Sequence, residues 1–599
     1  MFTPRLTTTA AAVLLIASAT VPQVAAASPP AVPTPVAPAA GSTVVTPAFS
    51  WGAAAGAQTY EIQVGPAGDP VRVTWTATTS SPAIVPTSAA KFPAGSMYWR
   101  VRARSAGGNS AWSVKTTFTR SIPAPTLTMP TNGATVTAPL FRWSGPAAGV
   151  TSYKLEISAK STFSPVTYTF ATYYTGLAPK VAIAPGIWYW RVRGVDAAGH
   201  LGAPSTTRRL VQTIGVPELE GPAAGLLVGA PTFSWKLTEG AVAYKVELSS
   251  MSGFRSVAKS YATSGLAYTP TAKIADGNWY WRVRGVDANG KLGLPSTVRM
   301  MTLAAPATSA TAPTALTPGD ATTITGDPAF TWSPATGAAT YRLLVSTSAT
   351  LSPAMETINT AYAAYAPATP SGKPAYPDGT YWWRVEARSQ TGAVIGTGGA
   401  ASFTVARAVP LTAPDDAATV PIPVLSWEQV PGARQYRVVV SESATLTPAF
   451  DSMITTNLAY IPNLTSLQYA YPAGTYYWTV EARSSSGAAL ATSAARSFTV
   501  APVVGALAPA DGATSAGQPR FAWQPVEGAK TYRILISSSA TFDPVYASVT
   551  TDFTQYVPYA PSGPATYPIG TYYWRAEARN ARGSMLAATP ARSFTISTP

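Results

Sequence analysis

The segment Pro-x-(Phe/Leu)-x-Trp occurs six times, at Pro47–Trp51, Pro139–Trp143, Pro231–Trp235, Pro328–Trp332, Pro423–Trp427 and Pro519–Trp523. Its tryptophans stand 92, 92, 97, 95 and 96 residues apart. Nine or ten residues after each comes a tyrosine: Tyr60, Tyr153, Tyr244, Tyr341, Tyr436 and Tyr532. A second tryptophan follows inside a block of aromatics and arginines, as in "GSMYWRVRARS" (95–105) and "GTYYWRAEARN" (570–580). Those tryptophans are Trp99, Trp190, Trp281, Trp383, Trp478 and Trp574. A period this long exceeds a solenoid unit and matches an independent domain.

Within each unit the apolar period is two. Phe521 and Trp523 share a face, and so do Tyr532, Ile534 and Ile536. Tyr572, Trp574, Ala576 and Ala578 share another, with Tyr573, Arg575, Glu577 and Arg579 opposite. Side chains alternate across a strand, so these segments predict half-buried antiparallel strands with the large apolar set inward. Gly, Pro, Ser and Asn clusters separate them at short intervals, the pattern of an all-β sandwich. "VDAAGHLGA" and "VDANGKLGL" predict hairpins with Gly199 and Gly290 in the turn. The twelve repeated tryptophans are the expected core, and truncating one to Ala should cost about 3–5 kcal/mol.

The paired tryptophans, the tyrosine between them and the G-x-Y-x-W-x-V-x-A block resemble tandem fibronectin type III modules. The resemblance implies an immunoglobulin-like β-sandwich for each unit. It implies little about activity, because core positions define the family. The family's corner tyrosine maps onto Tyr381, Tyr476 and Tyr572, whereas Met97, Trp188 and Trp279 depart from it. The corner hydrogen bond is therefore not expected in the first three units. No Arg-Gly-Asp tripeptide occurs, so receptor binding through it does not carry over. The expected fold class is all-β: six tandem fibronectin type III-like antiparallel sandwiches in an elongated string. The units are expected at 35–121, 126–212, 217–303, 314–406, 410–501 and 506–597. Proline-rich linkers suggest a semi-rigid rod of about 200 Å at about 35 Å per unit, with the longest joint, 304–313, as the bend.

Residues 1–27 carry Arg5, an apolar run and the small-residue site "VAAAS", the layout of a signal peptide, followed by a Pro/Ala-rich leader at 28–34. An exported chain without cysteine has to be held by its cores, since disulfides are the usual extracellular staple. No later segment has 18 consecutive apolar residues, so no membrane span is expected. The leader and the Ala/Pro-rich style resemble exported bacterial multi-module surface proteins. The expected setting is secreted or extracellular, in association with the cell envelope, and the chain is expected to be monomeric.

One histidine and no cysteine exclude the common zinc sites, cysteine nucleophiles and Ser-His-Asp triads. His200 lies in a predicted turn, where Lys291 is its counterpart in the next unit, and is read as a solvent-exposed turn residue. Asp415 and Asp416 are read as a loop pair. No cofactor or metal site and no catalysis are expected.

The remaining activity is binding. The outward face of the aromatic block carries Tyr98, Arg100 and Arg102; Tyr189, Arg191 and Arg193; Tyr280, Arg282 and Arg284; Trp382 and Arg384. Such a ladder suits sugar rings or anionic polymers. Its competing role is to cover the sheet and pair with Glu156, Glu247, Glu386, Glu481 and Glu577. With a formal charge of +15, the expected partners are cell-wall or extracellular polysaccharide or surface proteins, and not nucleic acid. The primary expectation is a spacer or adhesive element. The alternatives are a polysaccharide- or cell-wall-binding protein and an accessory part of an extracellular hydrolase system.

Overall fold

The computed structural model describes residues 28–597 except 307, 309, 368–375, 464–468, 485, 517 and 560–566. The signal-peptide reading of 1–27 and part of the segment between Tyr365 and Gly379 lie outside the described residues. In the first sandwich the strands are β1 (Pro35–Ala37), β2 (Ser42–Val44), β3 (Phe49–Trp51), β4 (Thr59–Pro66), β5 (Trp75–Thr79), β6 (Ala83–Ile84), β7 (Gly95–Ser105), β8 (Gly108–Asn109) and β9 (Thr116–Arg120). One sheet has the order β1-β3-β6; the other runs β2-β9-β7-β4-β5, with β8 also paired to β7. The β2–β9 pair is parallel and the rest are antiparallel. The same two sheets recur over Leu127–Gln212, Leu219–Leu303, Ala315–Val405, Leu411–Val500 and Ala506–Ile596.

Alternation dictates this architecture. In β7, Trp99, Val101 and Ala103 are buried while Arg100 and Arg102 between them are half-buried on the other face. All twelve repeated tryptophans are at most 4 % exposed. In the first sandwich Trp51 meets Trp99 with ring centroids 6.3 Å apart and meets Tyr60 at 5.4 Å. The Tyr60 hydroxyl accepts the Ala54 N–H at 2.9 Å, and Tyr244, Tyr341, Tyr436 and Tyr532 repeat that bond at the same length. The tyrosine thus fills the core and ties down the turn before its own strand.

The corner bond is more widespread than expected. Tyr381, Tyr476 and Tyr572 donate to the carbonyls of Pro377, Pro472 and Pro568. Trp188 and Trp279 donate through Nε1 to Ala184 and Ala275, also four residues back. An indole N–H reaches the same carbonyl position as a phenol, so only Met97 loses the bond.

The elongated string is corrected by the contacts between sandwiches. The last three sandwiches lie against the first three in reverse order. One backbone bond repeats along the two rows: Asp552 N–H to Thr87 O (2.9 Å), Thr456 to Lys180 (3.1 Å) and Ala361 to Thr271 (3.0 Å). These join the sixth sandwich to the first, the fifth to the second and the fourth to the third. Next to each donor a side chain is buried at the seam: Phe553, Asn457 and Tyr362, at 0 %, 7 % and 4 % exposure. Asn457 donates to Pro139 O and the Tyr362 hydroxyl accepts from Ile274 N–H. From the first row, the Tyr174 hydroxyl accepts from Tyr471 N–H at 2.8 Å. A string could stay extended only if these turns were solvated, and they carry residues that gain by burial instead. The leader also packs: Pro30 and Pro33 are buried and Ala31 N–H donates to Ala55 O.

Candidate functional site

Ten of the eleven ladder residues are half-buried; Tyr98 is buried at 2 % exposure beneath the segment before β5, its hydroxyl donating to Arg72 O at 3.1 Å. The arginines are engaged within the fold. Arg102 pairs with Glu61, Arg191 with Glu156 and Arg282 with Glu247, each at 2.7 Å. Arg100 gives two hydrogen bonds to Gln63 Oε1, and Trp112 lies 4.6 and 4.5 Å from the guanidiniums of Arg100 and Arg102. Arg193 and Arg284 donate to the carbonyls of Gly202 and Gly293.

A further partner is a phenylalanine that the repeat pattern did not mark. Arg191 stands 4.0 Å over Phe163, Arg282 4.2 Å over Phe254 and Arg575 4.8 Å over Phe542. Each phenylalanine has a positive φ, 56°, 49° and 58°, in the loop after the counterpart of β4. In the fourth and fifth sandwiches Leu351 and Leu446 hold that position, and the arginine position carries Arg384 and Thr479. Where the loop offers an aromatic face the strand offers a cation to it, an attraction of about 0.5–2 kcal/mol. Arg384 is the exception: its Nε is buried without a hydrogen-bond partner among the described residues. Trp382 and Arg384 are therefore the ladder pair with the least internal engagement.

The charge excess has a structural use. Arg208 donates to the carbonyls of Leu127, Thr128 and Pro130, and Arg299 to those of Leu219, Glu220 and Pro222. Arg496 and Arg592 reach Pro414 and Pro509 in the same way. A cation satisfied by carbonyls has no acidic counterpart in the sequence, so part of the +15 clamps the edge of four of the six sandwiches, the first and fourth carrying Thr116 and Ala401 at that position.

The expected acidic sites are also turns or pairs. Asp416 Oδ1 accepts from the N–H and hydroxyl of Ser497, which hold its carboxyl below the usual range. His200 is half-buried in its turn, and its Nδ1 lies 2.9 Å from Asp196 Oδ2. Among the described residues no group of three or more His, Asp or Glu is placed to hold a metal ion, and no helix is long and apolar enough to cross a membrane.

An open groove of about 580 Å³ lies between the fifth and sixth sandwiches, and sequence reasoning missed it. Glu442, Ser443, Phe450, Tyr469, Arg582 and Ser584 line it. Arg582 donates to the Tyr469 hydroxyl at 2.8 Å and stands 5.1 Å over its ring; Phe450 meets that ring edge-on at 6.3 Å. Next in the chain to Tyr469, Ala470 O accepts from Asn580, which is 1 % exposed, at 2.8 Å. Gly528 makes the close approach beside it: a Cβ there would fall 2.3 Å from that of Ala470. Tyr469 and Arg582 belong to no repeat, so nothing in the pattern singled them out.

No family model matches the chain, and no curated protein matches it. Among solved structures it is similar to the crystal structure of chicken CNTN1 FN1-FN3 domains, at 12% identity over 47% of this chain and 99% of that one, with a TM-score of 0.15. Strand order decides the fold: β1-β3-β6 facing β2-β9-β7-β4-β5, six times over. The chain is six fibronectin type III-like sandwiches in tandem. Each fibronectin type III-like unit keeps its second tryptophan on the inner face of its longest strand.

Proposed function

We propose that this chain is a secreted, non-catalytic scaffold of the bacterial cell envelope, serving as a spacer or adhesive block. The observation that carries this reading is the backbone bond repeated between the rows, which turns six jointed sandwiches into one stiff unit. Non-catalysis is supported by the engagement of the single histidine with Asp196 and of the ladder arginines with glutamates, glycine carbonyls and aromatic rings. Small-angle scattering tests the block. A doubled row of three sandwiches per side should span about 100 Å, against about 200 Å for an extended string. A maximum dimension near the longer value removes the reading. Retention on purified wall material or host matrix tests the adhesive part, and failure on all of them leaves the spacer.

A second reading, polysaccharide binding, is supported by the groove between the fifth and sixth sandwiches, where aromatic rings, an arginine, a glutamate and three serines converge. Aromatic faces stack on sugars while charged and hydroxyl groups fix orientation. Tyr469→Ala with Arg582→Ser should abolish retention on an acidic polysaccharide and leave the melting curve in place. If retention instead depends on Trp382 and Arg384, the ladder carries it. An accessory role in a hydrolase system is tested by adding the protein to a wall-degrading secretome and measuring sugar release.

A further inference from the structure

The second, third and fifth sandwiches meet around a cavity of about 60 Å³. Its lining includes Thr137, Ile183, Gln212, Asp287, Ala288 and Arg434. Gln212 is 7 % exposed and Asp287 5 %. Gln212 Nε2 donates to Thr137 O at 2.7 Å, while its Oε1 is buried with no hydrogen-bond partner among the described residues.

The same chain contains this junction a second time, where the first, second and sixth sandwiches meet. There the position of Gln212 is held by Arg120: Gly95 pairs with Arg120 as Gly186 pairs with Gln212. Arg120 Nε donates to Val45 O, the counterpart of Thr137 O, and its Nη1 donates to Phe92 O at 2.5 Å and to Asp196 Oδ2 at 2.7 Å. Ile183 occupies the place of Phe92, each seven residues before its tryptophan. Asp287 occupies the place of Asp196: both accept two backbone N–H bonds through Oδ1 inside the same turn. Gln212 is shorter than arginine and reaches the first of these acceptors, so the space lined by the others is that of an arginine head group.

We propose that this cavity binds a small guanidinium-type cation. A water-sized probe needs about 10–15 Å³, so there is room for about four to six such groups, and methylguanidinium has about five heavy atoms to place. The Asp287 carboxylate supplies the planar, charge-assisted acceptor that such a head group fits, and Gln212 Oε1 is the added acceptor. Arg434 does not oppose a second cation. Its counterpart Lys530 donates to Ala197 O at the other junction, where Arg120 is buried as well.

Calorimetric titration of the full chain with methylguanidinium chloride, at concentrations well below denaturing ones and against sodium chloride of equal ionic strength, tests the proposal. Saturable one-to-one binding is expected. Gln212→Arg should abolish it by supplying the head group from the chain, and should raise the melting temperature. Asp287→Asn should weaken it about tenfold or more, and keeps the turn, because Asn580 holds the equivalent turn through its Oδ1. Absence of saturable binding overturns the proposal, and so does binding undiminished in either variant. If Gln212→Arg does not fold, the Asp287→Asn titration decides by the same criterion.

Discussion

Arg120 of the first sandwich and Asp196 of the second form an ion pair at 2.7 Å with side-chain exposures of 0 % and 1 %. Two charges are thereby taken fully out of water at a joint that the sequence presents as a proline-rich linker. Arg120 is shared by three sandwiches, since it also stands 6.0 Å over Phe553 of the sixth. Such a pair contributes little against an apolar replacement, but breaking it on one side leaves a buried charge.

Asp196→Asn, which keeps the turn acceptor, should therefore destabilise the joint by about 3–5 kcal/mol. Arg120→Met with Asp196→Asn, which removes both charges and keeps the turn acceptor, should recover most of that loss. Urea unfolding, followed with limited proteolysis across 121–125, checks both. Equal loss in the single and double variants would show that the pair is not what holds the joint.

Row docking should depend on pH through Glu527. This side chain is 7 % exposed and accepts the Thr175 N–H across the rows. Burial pushes its carboxyl up to about 7 from an ordinary 4.5, against smaller opposing influences from its hydrogen bonds with Thr175 and, least, from Arg142. Between those values the docked state holds a proton that an undocked Glu527 has released. Docking is then strongest below about 4.5 and weakens as pH rises through about 7, by on the order of 3 kcal/mol in all. Scattering-derived maximum dimension or exchange at the Thr175 amide, followed from acid to neutral pH, should show this slope. Glu527→Gln should flatten it.

Asp451→Ala should destabilise the fifth sandwich by about 2–4 kcal/mol. Its Oδ2 accepts from the hydroxyls of Tyr460 at 2.5 Å and Tyr471 at 2.7 Å, and burial holds its carboxyl above the usual range. Both phenols lose that acceptor in the variant. Asp451→Asn, which retains one acceptor oxygen, should recover part of the loss in chemical denaturation.

Phe163→Leu should lower the stability of the second sandwich by about 0.5–2 kcal/mol through the cation–ring contact alone. Leucine is tolerated at this positive-φ position in the fourth and fifth sandwiches. Pairing it with Arg191→Thr, the combination found in the fifth, should show coupling between the two sites in a double-mutant cycle.

The repeated part of the chain was readable and the unrepeated part was not. Trp51, Tyr60 and Trp99 recur at fixed spacing with period-two neighbours, so both sheets and the core followed from alternation alone. The seam between rows is built from Tyr174, Tyr362, Asn457, Phe553 and Glu527, which span four residue types and sit in turns where composition carries little information. Whether the two rows met depended on surfaces far apart in sequence. The ladder arginines were visible; Phe163 and Phe254, which occupy two of them, were hidden because a turn residue under a guanidinium has no periodic signature.

Because the first and sixth sandwiches lie side by side, a pull applied between them does not load the six units in series. It falls on the Asp552–Thr87 contact first, then on Thr456–Lys180, then on Ala361–Thr271, opening the rows like a zip. The covalent arms would come under tension only after the last of these has parted, so the block resists through many small successive ruptures and gains length before any sandwich has to unravel.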